Sequence, residues 1–207
     1  MPDLLAPDLP HEQGERLTRA EYKQSFRERR AVLRDAEAWK LERLQHFEET
    51  DDASREALRR GDWPAVLRLF EADRDALTRR ARKDAARGVA FHRVRVVEEP
   101  LTPYVQWELT WLRLTAECGH SVRVLPASAV GAAEAGGLLP ELVLMDERTL
   151  YRVLYTDAGR PDGAVRFTDP GTVRNWEEYL RELYGAAEDV REYFDRAVAA
   201  LPPPPPA

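Results

Sequence analysis

Two hydrophobic periods alternate along this chain. Tyr22, Phe26 and Leu33 recur at helical spacing behind Thr18 and Glu21, a capping-box pair, and predict a first helix over residues 19–36. The stretch AWKLERLQHF that follows fits either a helix or a strand. Pro64 stands where a first helical turn tolerates it, and Val66, Leu67, Phe70, Asp73, Leu77 and Ala81 carry a second long helix towards Gly88. After Gly88 the period changes. VAFHRVRVV reads as a strand, TPYVQWELTWLRLTAEC as a helix capped by Thr102 with Pro103 in its first turn, and SVRVLP as a second strand. Strand, helix, strand is a βαβ unit, which favours parallel pairing. Between residues 141 and 169 further strands meet at turns around Asp146 and around DAGRPDG. Asp169 and Pro170 then open a helix bearing Val173, Trp176, Leu180 and Leu183, which Gly185 is expected to break from AAEDVREYFDRAVAAL.

The predicted class is α/β (α+β overall): a mainly helical segment, residues 17–88, packed on a mixed-sheet α/β domain, residues 89–201. Residues 1–16 are rich in proline and acids without periodicity, and residues 202–207 form a polyproline tail, so both ends are expected to be mobile.

One helical position breaks the apolar pattern. On the helix from Thr102, Gln106, Thr110, Arg113 and Glu117 share a narrow polar stripe, while Glu108 projects into the apolar arc with Thr115 two turns on. A buried carboxylate must take up a proton or find a cation. Arg93, Arg95 and Arg123 lie on the flanking strands, and Arg95 is the preferred partner. Two readings stay open at this point: a structural Glu–Arg pair tying helix to sheet, or a site carboxylate, with Asp146 joining Glu108 and Arg95 in a pocket at the strand ends.

Composition narrows the chemistry. A net charge of −6 and a pI of about 5.4 provide no global positive field for nucleic acid or anionic lipid. Only three lysines stand against 28 arginines, with Asn175 the sole asparagine and no isoleucine; this is the residue usage of a GC-rich genome, so abundant arginine is no mark of nucleic-acid binding. Arg79, Arg80, Arg82, Lys83 and Arg87 form a basic end to the second long helix, a solvated helix end or a local interaction surface, without interleaved aromatics for stacking on bases. A single cysteine, Cys118, excludes an internal disulfide, and four scattered histidines make no metal-ligand pair, so no metal and no cofactor is expected. Cys118 and His120 lie at a helix C-terminus, which does not favour a thiolate. Trp39, Trp63, Trp107, Trp111 and Trp176 read as core or interface anchors. No apolar run is long enough for a membrane span and no secretory signal is visible, so a cytoplasmic location is expected.

The element order of the C-terminal part resembles half of a phospholipase-D-type domain, whose signature is H-x-K-x(4)-D. With Asp146 of LPELVLMDE as the motif aspartate, the histidine position is Leu139 and the lysine position is Glu141. Neither can do its part, since leucine cannot attack phosphorus and glutamate repels phosphate. The resemblance therefore implies a degenerate, non-catalytic domain. Over nearly the whole chain, EAWKLERLQHFEE, RGDW, RVRVVEEPLTPYVQWEL and VLMDERTLYRVLY are similar to an uncharacterised actinobacterial family, a domain of unknown function commonly encoded beside helix-turn-helix regulators. That resemblance implies an accessory or sensor protein partnering such a regulator, and half of a two-lobed architecture implies a homo-oligomer. The alternative is an enzyme or ligand-binding pseudo-enzyme with a site at the strand ends.

Overall fold

The computed structural model describes residues 5–206. Its strands are β1 (Glu15–Leu17), β2 (Ala36–Glu42), β3 (Val89–Val97), β4 (Ser121–Pro126), β5 (Leu142–Met145), β6 (Thr149–Tyr155), β7 (Pro161–Phe167) and β8 (Glu188–Asp189). The helices are α1 (Arg19–Val32), α2 (Ala53–Arg59), α3 (Trp63–Ala85), α4 (Pro103–Glu117), α5 (Pro170–Ala186) and α6 (Val190–Ala197). All the strands join one mixed sheet in the order β1-β7-β6-β5-β2-β3-β4-β8, an α/β fold.

The centre of the sheet is parallel. β2, β3 and β4 run side by side in one direction, with α2 and α3 crossing from β2 to β3 and α4 from β3 to β4. β5, β6, β7 and β1 extend the sheet antiparallel beyond β2, and β8 closes the far edge against β4. Alternation along each strand sorts the side chains. Trp39, Leu41, Val94, Val96, Leu142 and Leu144 pack with Trp176 and Leu180 of α5 on one face. On the other face, Ala38, Val143 and Tyr151 pack with Tyr22 and Phe26 of α1, while Val97, Val122 and Val124 pack with α3, α4 and α6. Lys40 and Glu42, two and four residues beyond Ala38, therefore share the α1 and α4 face, as do Arg93 and Arg95.

Local chemistry sets the helix starts. Thr18 accepts from the Glu21 amide and Glu21 answers the Thr18 amide. Thr102 caps α4 through the Val105 amide, and Asp169 caps α5 through the Thr172 amide. Such caps contribute about 1 kcal/mol each.

The structure departs from the sequence reading in four places. AWKLERLQHF contributes β2, so the N-terminal third supplies a central strand of the sheet as well as helices. α1 stops at Val32 because Leu33 turns extended and Asp35 takes a positive φ before the chain enters β2. α5 runs through Gly185 and stops when Ala187 becomes extended at the entry to β8. The chain ends also touch the body. Ala6 and Leu9 pack on the α5-side core, the Trp176 indole donates to the Asp8 carbonyl, and Glu15–Leu17 pair with β7. At the other end Gln106 donates to the Pro202 carbonyl at 2.7 Å, and Pro204 is buried. Residues 1–4 and 207, part of the expected mobile ends, lie outside the described residues.

Gly163 makes the β1 pairing feasible. Its φ is +91°, and a Cβ there would stand 2.2 Å from the Leu17 carbonyl oxygen. Gly163→Ala is expected to destabilise the protein by more than about 1 kcal/mol. Hydrogen exchange should locate the loss at β1 and β7, and unchanged protection of the Leu17 and Ala164 amides would refute this account.

Candidate functional site

The α1 and α4 face of β2 and β3 is charged where a sheet face is ordinarily apolar. The parallel register sets Lys40 beside Arg93 and Glu42 beside Arg95. α4 lowers Glu108 onto this row, and Arg95 Nε donates to Glu108 Oε2 at 2.7 Å. Arg95 is fully buried; its Nη1 also donates to the Glu42 and Val96 carbonyls, while Nη2 has no partner. The Phe47 ring lies 5.8 Å from the guanidinium carbon.

Burial and neighbouring charge divide these groups. Burial would raise Glu42, but Arg93, Lys40 and Arg95 outweigh it and hold the carboxyl down at about 2. Burial dominates at Glu108, whose pKa is raised although Arg95 pulls the other way. Burial would lower Arg95, yet the charges of Glu108 and Glu42 leave it raised.

A second buried network adjoins the first where the chain leaves β2. Glu141 Oε1 accepts the Arg43 amide at 2.6 Å and the Leu44 amide at 2.7 Å. The Arg43 side chain grips Glu134 through two nitrogens and reaches Glu98. Burial pushes Glu141 up to about 7 despite those two amides, and the Glu42 charge adds to the rise.

Above the charged row opens a cleft of about 470 Å³. Its floor is Lys40, Glu42, Arg93 and Glu108; Tyr104, Trp107 and Trp111 of α4 and Phe70 of α3 form walls; Glu49, Asp51, Asp52 and Asp73 stand around it. A smaller cavity of about 250 Å³ shares Lys40, Arg93 and Trp111 and is also lined by Arg30, Arg80 and His120. Among the described residues no group of three or more His, Cys, Asp and Glu is arranged to hold a metal, and no helix is long and apolar enough to cross a membrane.

The structure brings Glu108 and Arg95 together and leaves Asp146 apart. Met145 pairs with Ala38, at the beginning of β2, so Asp146 sits at the end of the sheet opposite Glu42. It occupies the β5–β6 turn with φ +53°, its Oδ1 is buried without a hydrogen bond, and burial raises its pKa. A shared pocket of Glu108, Arg95 and Asp146 is therefore excluded by geometry. The basic helix end is also split. Arg87 pairs with Asp84, Arg80 lines the smaller cavity, and Arg79, Arg82 and Lys83 are exposed. Cys118 Sγ contacts the Arg74 carbonyl and His120 Nε2 the Leu77 carbonyl, so they do not face each other as a pair. Lys40 and Glu42 escaped the sequence reading because their stretch was undecided between helix and strand. Taken as a strand, its alternation of Trp39 and Leu41 with Lys40 and Glu42 puts both charges on one face.

Two outcomes test the charged row. Glu108→Ala leaves the Arg95 guanidinium buried without its carboxylate and should cost roughly 3–5 kcal/mol in chemical denaturation. Glu108→Gln combined with Arg95→Met should recover part of the summed single losses, with coupling above about 1 kcal/mol, and strictly additive losses would show the pair to be uncoupled. For Glu141 the sign follows from its raised pKa. Below pH 4.5, its ordinary value, the carboxyl is protonated in both states, and between 4.5 and about 7 the unfolded chain releases the proton first, so stability falls through that window and then levels. Glu141→Gln should remove this slope, worth at most about 3 kcal/mol, while the contribution of Glu108 remains. Urea titrations of both proteins across the window provide the comparison, and parallel curves would refute the assignment.

No curated protein matches the chain. A model of the domain-of-unknown-function family DUF6879 matches residues 21–195, which takes in the sheet from β2 to β8, the charged row and both cavities, and the chain belongs to that family.

Proposed function

We propose that this protein is a non-catalytic ligand-binding sensor, with the larger cleft as its binding site and a helix-turn-helix regulator as the receiver of its signal. The cleft carries the reading. It lies towards the carboxyl ends of the parallel strands, where open α/β sheets hold their ligands, and its volume of about 470 Å³ is that of a small-molecule site. Its rings belong to α4, and its floor is locked by the Arg95–Glu108 pair beneath them, so the site is formed in advance of binding.

The resemblance to a degenerate phospholipase-D-type domain supports the non-catalytic part. Of the three motif positions, Leu139 is packed in the α5-side core, Glu141 holds the backbone at the exit of β2, and Asp146 is in a hairpin turn. The regulator as receiver rests on the family resemblance, and the acidic net charge suits a protein partner better than DNA.

Ala72 lines the cleft from an exposed position on α3, so Ala72→Trp should fill the site without disturbing the core. In ligand-observed NMR, a panel of cationic, neutral and anionic aromatic fragments should include binders to the full chain that Ala72→Trp abolishes at unchanged melting temperature. A panel in which nothing binds, or in which every binder ignores Ala72→Trp, removes the site. The receiver is tested separately by co-purification from the native host at low and physiological salt, where absence of any helix-turn-helix protein counts against it.

A further inference from the structure

Resting on the ligand-binding reading of the larger cleft, we infer that its ligand is a small organic cation, an amine or guanidine carried on an apolar stem. The first observation is the charge balance of the walls. Six carboxylates line the cleft against two cations, Lys40 and Arg93. Both cations are engaged by Glu42, and Glu108 is answered by Arg95. The other four acids, Glu49, Asp51, Asp52 and Asp73, belong to no ion pair among the described residues. Asp52 is committed in part to capping α2, and Glu49 accepts only the Tyr104 hydroxyl. Four unpaired carboxylates therefore face an open cavity, and the buried Arg55 guanidinium, in no ion pair among the described residues, is the cation in the surroundings of Glu49.

The second observation is independent of that rim. Glu42 is 5% exposed; Lys40 engages its Oε1, and its Oε2 receives no hydrogen bond, with Arg93 Nε 3.4 Å away. Surrounding guanidinium and ammonium groups keep the carboxyl ionised. A buried ionised oxygen without a donor carries a large desolvation cost, and an N–H group entering the cleft would relieve it. Ammonium and guanidinium groups bring several such donors.

The walls specify the rest of the molecule. Phe70, Tyr104 and Trp107 form a continuous aromatic series, with centroids 5.8 Å apart from Phe70 to Trp107 and 5.3 Å from Tyr104 to Trp107. They offer apolar area to a stem, while the buried Arg55 guanidinium already stands over Tyr104 and Trp107, 5.2 and 5.9 Å from their centroids. The smaller cavity has the opposite polarity. Arg30, Lys40, Arg80 and Arg93 line it without a single carboxylate, so an anion reaching this face of the sheet would settle there.

Matched probes separate these cases in the full-length protein: tryptamine, tryptophol and indole-3-propionate share one body, as do phenethylamine, 2-phenylethanol and 3-phenylpropionate. Calorimetry should find each amine binding at least about tenfold tighter than its neutral and anionic counterparts, a difference of about 1.4 kcal/mol. Amine affinity should fall with added salt. Asp73→Asn and Asp51→Asn should each weaken amine binding by about threefold or more, as expected for one charge near the ligand in a partly solvated site. Asp73 is exposed and makes no side-chain bond, and asparagine tolerates the positive φ of Asp51, so melting temperatures should not change. Anions that do bind should be insensitive to both substitutions. Neutral or anionic members binding as tightly as their amines, with Ala72→Trp abolishing all three, would overturn the charge assignment and leave the cleft standing as a site. Amine affinities unchanged in both aspartate variants would overturn it as well. If no member shows binding that Ala72→Trp abolishes, the site and the inference fall together.

Discussion

A guanidinium with no exposed surface governs this face of the molecule. Arg95 must be satisfied from inside, because an ion of that size left unpaired in the interior costs several kcal/mol. Its partners come from three places: the Glu108 carboxylate on α4, the Glu42 carbonyl at the end of β2, and its own neighbour's carbonyl at Val96. Satisfying one residue therefore fixes the depth and rotation of α4 over the sheet and pins the place where β2 ends. The aromatic walls follow, since Tyr104, Trp107 and Trp111 are borne by the same helix turns that present Glu108. A buried pair of this kind adds little net stability compared with well-packed apolar side chains, but it penalises other arrangements of helix on strand. Its contribution is the position of the walls.

The charges around Arg95 then form a graded series. Glu42 is held ionised by three cations, Glu108 is raised by burial against the pull of Arg95 and Arg93, and Glu141 reaches about 7 although two backbone amides and Arg95 favour its charge. Three glutamates within one region thus differ in the direction or size of their pKa shifts because their surroundings balance burial and cations differently. Glu42, the ionised member, lines the larger cleft together with Glu108, and the member titrating near neutrality holds the chain between β2 and the following loop. Ligand-facing charge and backbone support are accordingly separate, and each can be altered without removing the other.

Much of this was legible in the sequence, for reasons that also explain what was not. α4 and its flanking strands have long, clean periodicity, so the buried place of Glu108 follows from spacing, with Arg95 preferred among three arginines on those strands. β2 was not legible, because its short apolar and charged run fits a helix as well as a strand. The loss of β2 concealed Lys40 and Glu42, and with them the cleft floor. Gly185 misled because a glycine on an exposed helix face costs only about 1 kcal/mol, which the packing of Leu180 and Leu183 covers. β1 is three residues long and exists through its pairing with β7, a contact of high sequence separation that local patterns do not record. The alternative reading set Asp146 with Glu108 in a pocket at the strand ends, whereas the antiparallel direction of β5 carries it to the other end of the sheet.

The unpaired acids of the cleft stand out against the chain's own habits. Arginine is abundant here, and elsewhere it meets carboxylates readily: Arg181 joins Glu37 and Glu177, Arg74 joins Glu71 and Glu117, and Arg43 joins Glu98 and Glu134. A chain with 28 arginines does not lack cations for four more acids. Surface pairs are worth little individually, so leaving one carboxylate free means nothing. Several like charges gathered around one aromatic cavity are different, because their mutual repulsion grows as solvent is excluded and none of the four is held in an ion pair, Arg55 beside Tyr104 and Trp107 being the cation near Glu49. The two cavities sharpen the point. Lys40, Arg93 and Trp111 stand between them, with carboxylates collected on one side and guanidinium groups on the other, so the field changes sign across a single row of side chains. Random surface charge would mix the signs, and pairing for stability would cancel them. Segregated charge beside ring-walled space suits the proposed selection of ligands by sign, and the buried Arg95–Glu108 pair beneath holds α4 over the row that divides the two cavities.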